Sequence, residues 1–94
     1  GPGGAARAVE APTYVIETPK EGEAPDDHDA YNPVVIAETK KNIMTLSVSD
    51  AVLDLDMTGA PVVLFRHASS GRINFVYRRT DGNIGWVDPP TADH

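Results

Sequence analysis

INFVYRRTDGNIGWVDPP, residues 73–90, reads as two strand-like runs around a tight turn. RINFVYRR (72–79) is rich in β-branched and aromatic residues, and Asp81-Gly82 is a type I′ hairpin signal. NIGWVD (83–88) is the returning strand, which Pro89-Pro90 ends. Strand side chains alternate between faces, so Ile73, Phe75 and Tyr77 point one way while Asn74, Val76 and Arg78 point the other. Both sides carry large apolar groups, unlike a sheet with one solvated face. What covers two apolar faces in so short a chain decides the fold and the function.

Working outward, PVVLFRH (61–67) is the preceding strand and ASSG (68–71) its hairpin loop. There Val63, Phe65 and His67 oppose Val62, Leu64 and Arg66, again without a clean polar side. Further upstream, Ser47 opens a helix and Asp50 completes a capping box while complementing the helix dipole. Val48, Ala51, Val52 and Leu55 form one apolar stripe, and Gly59 supplies the C-terminal stop. A helix of about three turns needs a sheet to pack on. PVVIAETK (33–40) reads as a strand before it. The expected fold is α+β: a small β-α-β-β-β domain over residues 33–90, mainly antiparallel, with one short helix and a tail at 91–94.

The front of the chain differs. Residues 1–32 hold seven acids against Arg7 and Lys20, a net charge of −5, whereas the remaining residues are nearly neutral. Such a proline-rich, acidic segment buries too little surface to offset the entropy of ordering it. It reads as a flexible, self-repelling linker; GPGG (1–4) reads as a protease scar plus spacer. TYVIE (13–17) is a β-prone patch with two readings, an addition to a sheet edge or a transiently extended piece of linker. The chain has no cysteine, which removes disulfides and thiolate metal sites. That lack of cysteine fits a reducing cytoplasm, the expected setting, and since no run approaches the roughly 18 apolar residues of a membrane span no membrane partner is expected.

Burying a Val, Leu or Phe is worth roughly 1.5–3 kcal/mol. A symmetric interface hiding half a dozen of them would stabilise a domain near the lower size limit. The pattern therefore points to a homodimer, against the alternative that the same residues fill a monomeric core. Periodicity does not decide which face meets the helix, so the interface candidates come from both: Val62, Leu64, Phe65, Ile73, Phe75, Val76, Tyr77 and Trp86.

The run from Thr45 to Pro89 resembles the C-terminal domain of long-form bacterial ribosome hibernation-promoting factors, the S30EA or sigma-54-modulation family. The resemblance rests on SVSDAVLDLDMTG (47–59), on VVLF (62–65) and above all on INFVYRRTDGNIGWVDP (73–89). That last run looks like the family's hydrophobic-Asn-hydrophobic-Val-Tyr-Arg-Arg-x-Asp-Gly-x-x-Gly signature. The resemblance covers about half the chain. It implies a module that self-associates, joined by a linker to an N-terminal domain that blocks the small subunit's decoding channel. Many relatives carry a Leu-Leu-Gly-His-Asp-Phe-Phe-like segment after the helix, where this chain has MTGAPVVLF (57–65). Ala60, Pro61, Val62 and Val63 thus replace a polar pair and two aromatics, which reshapes the second strand and its interface. The resemblance leaves open whether ribosomes are paired or silenced singly.

Other candidate chemistry is sparse. His67, Ser69 and Ser70 share a loop without an evident buried acid, oxyanion hole or nucleophile elbow, so no catalysis is expected. Asp26-Asp27-His28-Asp29 lies in the acidic segment and reads as a solvated run rather than a metal site. Asp54 and Asp56 fall on different helix faces, and Gly82-Asn83-Ile84-Gly85 reads as turn chemistry. No cofactor is implied. Lys40, Lys41, Arg66, Arg72 and Arg79 are candidate contacts to rRNA phosphates. Against that stands the reading in which Arg78 pairs with a carboxylate at the interface edge and Arg79 is solvated. A near-neutral domain is a poor nonspecific binder of RNA or DNA. The sequence thus supports a non-catalytic homodimerisation module of a ribosome-silencing factor. The alternative is a monomer that docks directly on rRNA or a ribosomal protein.

Overall fold

The computed structural model describes residues 8–19 and 32–90. Its elements run β1 (Ala8–Ile16), β2 (Val35–Leu46), α1 (Val48–Thr58), β3 (Val62–His67), β4 (Ile73–Arg78) and β5 (Ile84–Val87). The hydrogen-bonded strand order follows the chain, β1-β2-β3-β4-β5. The fold is α+β with a mostly antiparallel sheet, and β1 adds a strand in front of the expected β-α-β-β-β order. The GPGG start, the Asp26–Asp29 run and the tail at 91–94 lie outside the described residues.

The chain divides into two units, and β2 runs through the boundary between Lys41 and Asn42. In the unit Glu10–Lys41, the Glu17 N–H donates to Val34 O, and the Lys40 ammonium pairs with Glu10. Later positions of β1 thus face earlier positions of β2, so this ribbon is antiparallel. Ala8–Ile16 was expected inside a linker. It is a strand because Val9, Thr13, Tyr14, Val15 and Ile16 favour extended backbone and gain a ladder partner in β2.

In the other unit β2, α1 and β3 form a crossover. β2 continues past the expected end at Lys40 to Leu46, since residues 41–46 contain no Gly or Pro to stop it. Its last residues pair parallel with β3, Thr45 opposite Arg66 and Leu46 opposite His67. Between them Ser47 takes extended backbone and its Oγ accepts from the Asp50 N–H at 3.1 Å. The Asp50 carboxylate makes no bond back, so only half of the expected capping box forms. Aspartate is one methylene shorter than the glutamate such boxes favour. At the other end Gly59 adopts φ 71°, and its N–H donates to Leu55 O.

The helix lays its stripe on β3 and β4. Ala51 and Leu55 meet Phe65 and Val76, all four fully buried, with Leu46, Val48, Val52, Ala60 and Val63 packed around them. No basic residue sits in the last helical turn; Arg78 of β4 supplies the cation instead. Its Nη2 donates to Leu55 O and its Nε to Ala60 O at 3.0 Å. Among the described residues Arg78 pairs with no carboxylate; its place in the strand aims it at the carbonyl end of the helix, where a cation is favoured.

The β4–β5 connection differs from the expected type I′ turn. Gly82 N–H donates to Arg79 O and Arg79 N–H to Asn83 O, and only Gly82 has positive φ, at 88°. Type I′ demands positive φ at both central residues, which Asp81 avoids; the connection is a three-residue loop closed by a glycine bulge. Asp81 accepts from Arg79 and from the Asn83 N–H, holding the loop from inside.

A polar chain completes the helix-side face where α1 does not reach. Asn74 is fully buried; its Oδ1 accepts from Trp86 Nε1 at 2.8 Å and its amide donates to Asp88 at 2.9 Å. Arg72 donates to the same carboxylate from Nε and Nη2 at 3.0–3.3 Å. The His67 ring stands edge-on to Trp86 at 5.9 Å. Replacing Asn74 with Leu, close in volume, strips Trp86 and Asp88 of a shared partner. Urea unfolding at one protein concentration should show a loss of about 1–3 kcal/mol; an unchanged midpoint would contradict this account. Arg72 first, then Asn74, holds the Asp88 carboxyl below its ordinary value. A lowered folded-state pKa gives stability that is complete above the ordinary carboxylate range and is lost as pH falls through the folded value. Acid unfolding should therefore be flatter in Asp88→Asn than in the unmodified chain between about pH 5 and pH 2. Parallel acid profiles would show that the contact contributes nothing.

Candidate functional site

The antiparallel register sorts the side chains of β3–β5 between two faces. Val62 lies opposite Tyr77, Leu64 opposite Phe75 and Arg66 opposite Ile73, while Phe75 and Tyr77 face Val87 and Gly85 of β5. These residues form the face away from the helix. Val62, Leu64 and Ile73 are 39–46% exposed, and Phe75, Tyr77 and Val87 are half-buried. The Phe75 and Tyr77 rings lie 6.4 Å apart, tilted by 48°. Tyr77 lies flat across Gly85, where a Cβ would collide with its ring. The missing side chain lets the phenol cover bare backbone and extends the apolar surface across β5. Gly85 therefore serves strand packing, not the turn chemistry its neighbourhood suggested. Arg66 is the one charged side chain that β3–β5 place here, and its Nη1 donates to Gly71 O at 3.2 Å.

Of the eight residues expected to meet a partner, five belong to this open face: Val62, Leu64, Ile73, Phe75 and Tyr77. Phe65, Val76 and Trp86 do not. Phe65 and Val76 are fully buried under α1, and Trp86, directly opposite Val76, shares their side of the sheet. The physical reason is the period of two. Phe65 and Val76 fall in step with the residues that meet the helix stripe, and side chains so buried cannot meet a second copy; Trp86, on the same side but beyond the helix, keeps 51% of its surface exposed. Sequence reasoning missed Val87 and Gly85, whose signal was their alternation with Trp86, and it missed the Asn74–Asp88 bond that closes the other face.

Most of the candidate cations have a carboxylate partner in their own unit. Arg72 is held by Asp88 and Arg79 by Asp81 at 2.9 Å. Lys40 pairs with Glu10 in the other unit, where Lys41 is also exposed. These pairs are exposed enough to be worth little individually, yet each sets a carboxylate where an RNA phosphate would have to come. In the β3–β4 loop, the two ring nitrogens of His67 face Ser70 Oγ at 3.3 Å and Ser69 Oγ at 3.4 Å. No carboxylate orients the ring toward a hydroxyl, as a nucleophilic triad would need. Among the described residues no three His, Asp or Glu side chains gather as a metal site, and no helix is long and apolar enough to cross a membrane.

Comparison with known proteins gives one consistent answer. Residues 30–85 match the family model described as Sigma 54 modulation/S30EA ribosomal protein C terminus. A protein of Bradyrhizobium diazoefficiens named ribosome hibernation promotion factor is 55% identical over 83 residues, which is 88% of this chain and 41% of that relative. A Rhizobium meliloti protein of the same name is 53% identical over 66 residues, 70% of this chain and 33% of its own length. One from Lactococcus lactis is 36% identical over 63 residues, 66% and 34% of the two chains. The chain thus spans less than half the length of these relatives. The matched region takes in α1, the open-face residues of β3 and β4 and the Tyr77–Gly85 stack, and the chain belongs to the Sigma 54 modulation/S30EA C-terminal family.

Proposed function

We propose that this chain is the non-catalytic self-association module of a ribosome hibernation factor. In this reading a second copy of the chain covers the open sheet face, and the full-length protein thereby helps to silence ribosomes during stasis in the cytoplasm. The observation that carries it is the set of six apolar side chains, Val62, Leu64, Ile73, Phe75, Tyr77 and Val87, on a face with no carboxylate among the described residues of β3–β5. A contiguous apolar patch of this kind marks an interaction surface. A closed twofold pairing hides it without leaving a further copy exposed. The relatives' name supports the ribosomal setting. The module contributes association, while contact with the small subunit belongs to the rest of the full-length protein.

The test is a pair of aspartates in apolar, exposed positions. Leu64→Asp lies on the open face; Met57→Asp lies on the outer side of α1 and is 82% exposed. Sedimentation equilibrium should show the dissociation constant rising at least about 100-fold for Leu64→Asp, the equivalent of burying an unpaired charge. Met57→Asp should leave it unchanged. Equal behaviour of the two variants, with circular dichroism showing both folded, would overturn the reading. A monomeric parent chain that binds ribosomes in a salt-sensitive way would favour direct docking on rRNA instead.

A further inference from the structure

The β1–β2 ribbon has its own uncovered surface. Tyr14, Val15 and Ile16 end β1, Val34 directly precedes β2, and Val35 and Ile36 begin it; these six large apolar residues are 43–59% exposed. Consecutive apolar residues on each strand place such groups on both faces of the ribbon's end. A two-stranded ribbon is marginal in water on its own. Toward the other end the ribbon turns polar, with Glu10, Glu38, Lys40 and Lys41. The apolar end therefore has the character of a buried element, while within one chain it is solvent-exposed.

Resting on the reading that a second copy covers the open face, we propose that the part of that copy which does so is the ribbon end. Each chain would extend its β1–β2 arm over the open face of the other and leave it clasped between the two copies. Three observations support this occupant. The first is area. Three strands at about 4.8 Å spacing and six residues at about 3.3 Å give β3–β5 a footprint of only about 300 Å², whereas a standard stable interface buries about 800 Å² per partner. Two open faces alone fall short, and each face of a two-stranded arm six residues long adds about 190 Å² by the same geometry.

The second observation is the arm's two apolar faces, which a single flat partner would leave half wet and a clasp between two copies would not. The third is charge. Arg66, on the open face, has no carboxylate partner among the described residues, and neither does Glu38 have a cation. Ile36 and Glu38 point to one side of β2 by their spacing of two. When that side meets the open face, Ile36 packs among apolar residues and Glu38 reaches toward Arg66. A second open face would bring another Arg66 in place of a carboxylate.

The chain has no cysteine, so introduced thiols report cleanly. Full-length chains carrying Ile36→Cys, isotopically heavy, and Leu64→Cys, light, would be mixed, oxidised and weighed by non-reducing mass spectrometry. Disulfide formation demands close Cα approach. The 36–64 mixed disulfide should exceed either same-site disulfide by about tenfold. In a parallel set, Glu38→Arg and Arg66→Glu should each weaken the dimer about tenfold, and the double exchange should restore it. Dominance of the 64–64 disulfide would overturn the arm while leaving a second copy on the open face. A 36–64 bond formed within one chain in the doubly substituted protein, at monomer mass, would overturn the exchange. A chain that is monomeric throughout would remove both this inference and the self-association on which it rests.

Discussion

The constraint on which the structure depends is that, among the described residues, a single helix of eleven residues is the only layer laid against the β3–β5 sheet. Its apolar stripe, centred on Ala51 and Leu55, buries Phe65 and Val76 and extends no further than β3 and β4. Everything else follows from that limited reach. At the C-terminal end of the helix the missing basic residue is replaced by Arg78 from β4. Beyond the helix, at β5, the sheet closes with a polar arrangement in which Asn74 serves both Trp86 and Asp88. On the far side nothing from β3–β5 covers the alternate set of side chains.

Much of the domain was legible because its signals are local. Ser47 and Gly59 bracket a helix whose stripe the sequence spacing identifies, and Pro61, the 68–71 loop and Pro89 delimit the strands. Non-local properties were not legible. Alternation showed two faces in β3 and β4 without showing which one the helix takes, because Val, Leu and Phe suit either. That choice is made by the register, which sets Phe65 against Asn74 and Val76 against Trp86. The interface candidates consequently mixed both faces, and Phe65, Val76 and Trp86 belong to the helix side. β1 was obscured by the acidic, proline-bearing composition around it, although its ladder partner in β2 decides its conformation. The Asp-Gly pair signalled a turn correctly, but its type depends on one residue's preference for negative φ.

The open face joins these points to function. Tyr77 over Gly85 shows that this surface is built rather than left over: a glycine in a short edge strand gives up packing of its own so that an aromatic ring can lie flat. The arrangement is the kind that adjoins another protein surface, and it contains neither a converging polar cluster nor a group of unpaired cations. The proposed self-association would also account for how so small a core is sustained, since among the described residues four apolar side chains are fully buried within one chain and the domain is near the size at which association supplements folding.

The most direct test of that account is the molar mass of the unmodified chain by light scattering during gel filtration over a dilution series. The account predicts about twice the 10.0 kDa of one chain, persisting to low micromolar concentration. A mass of one chain at every concentration would contradict it.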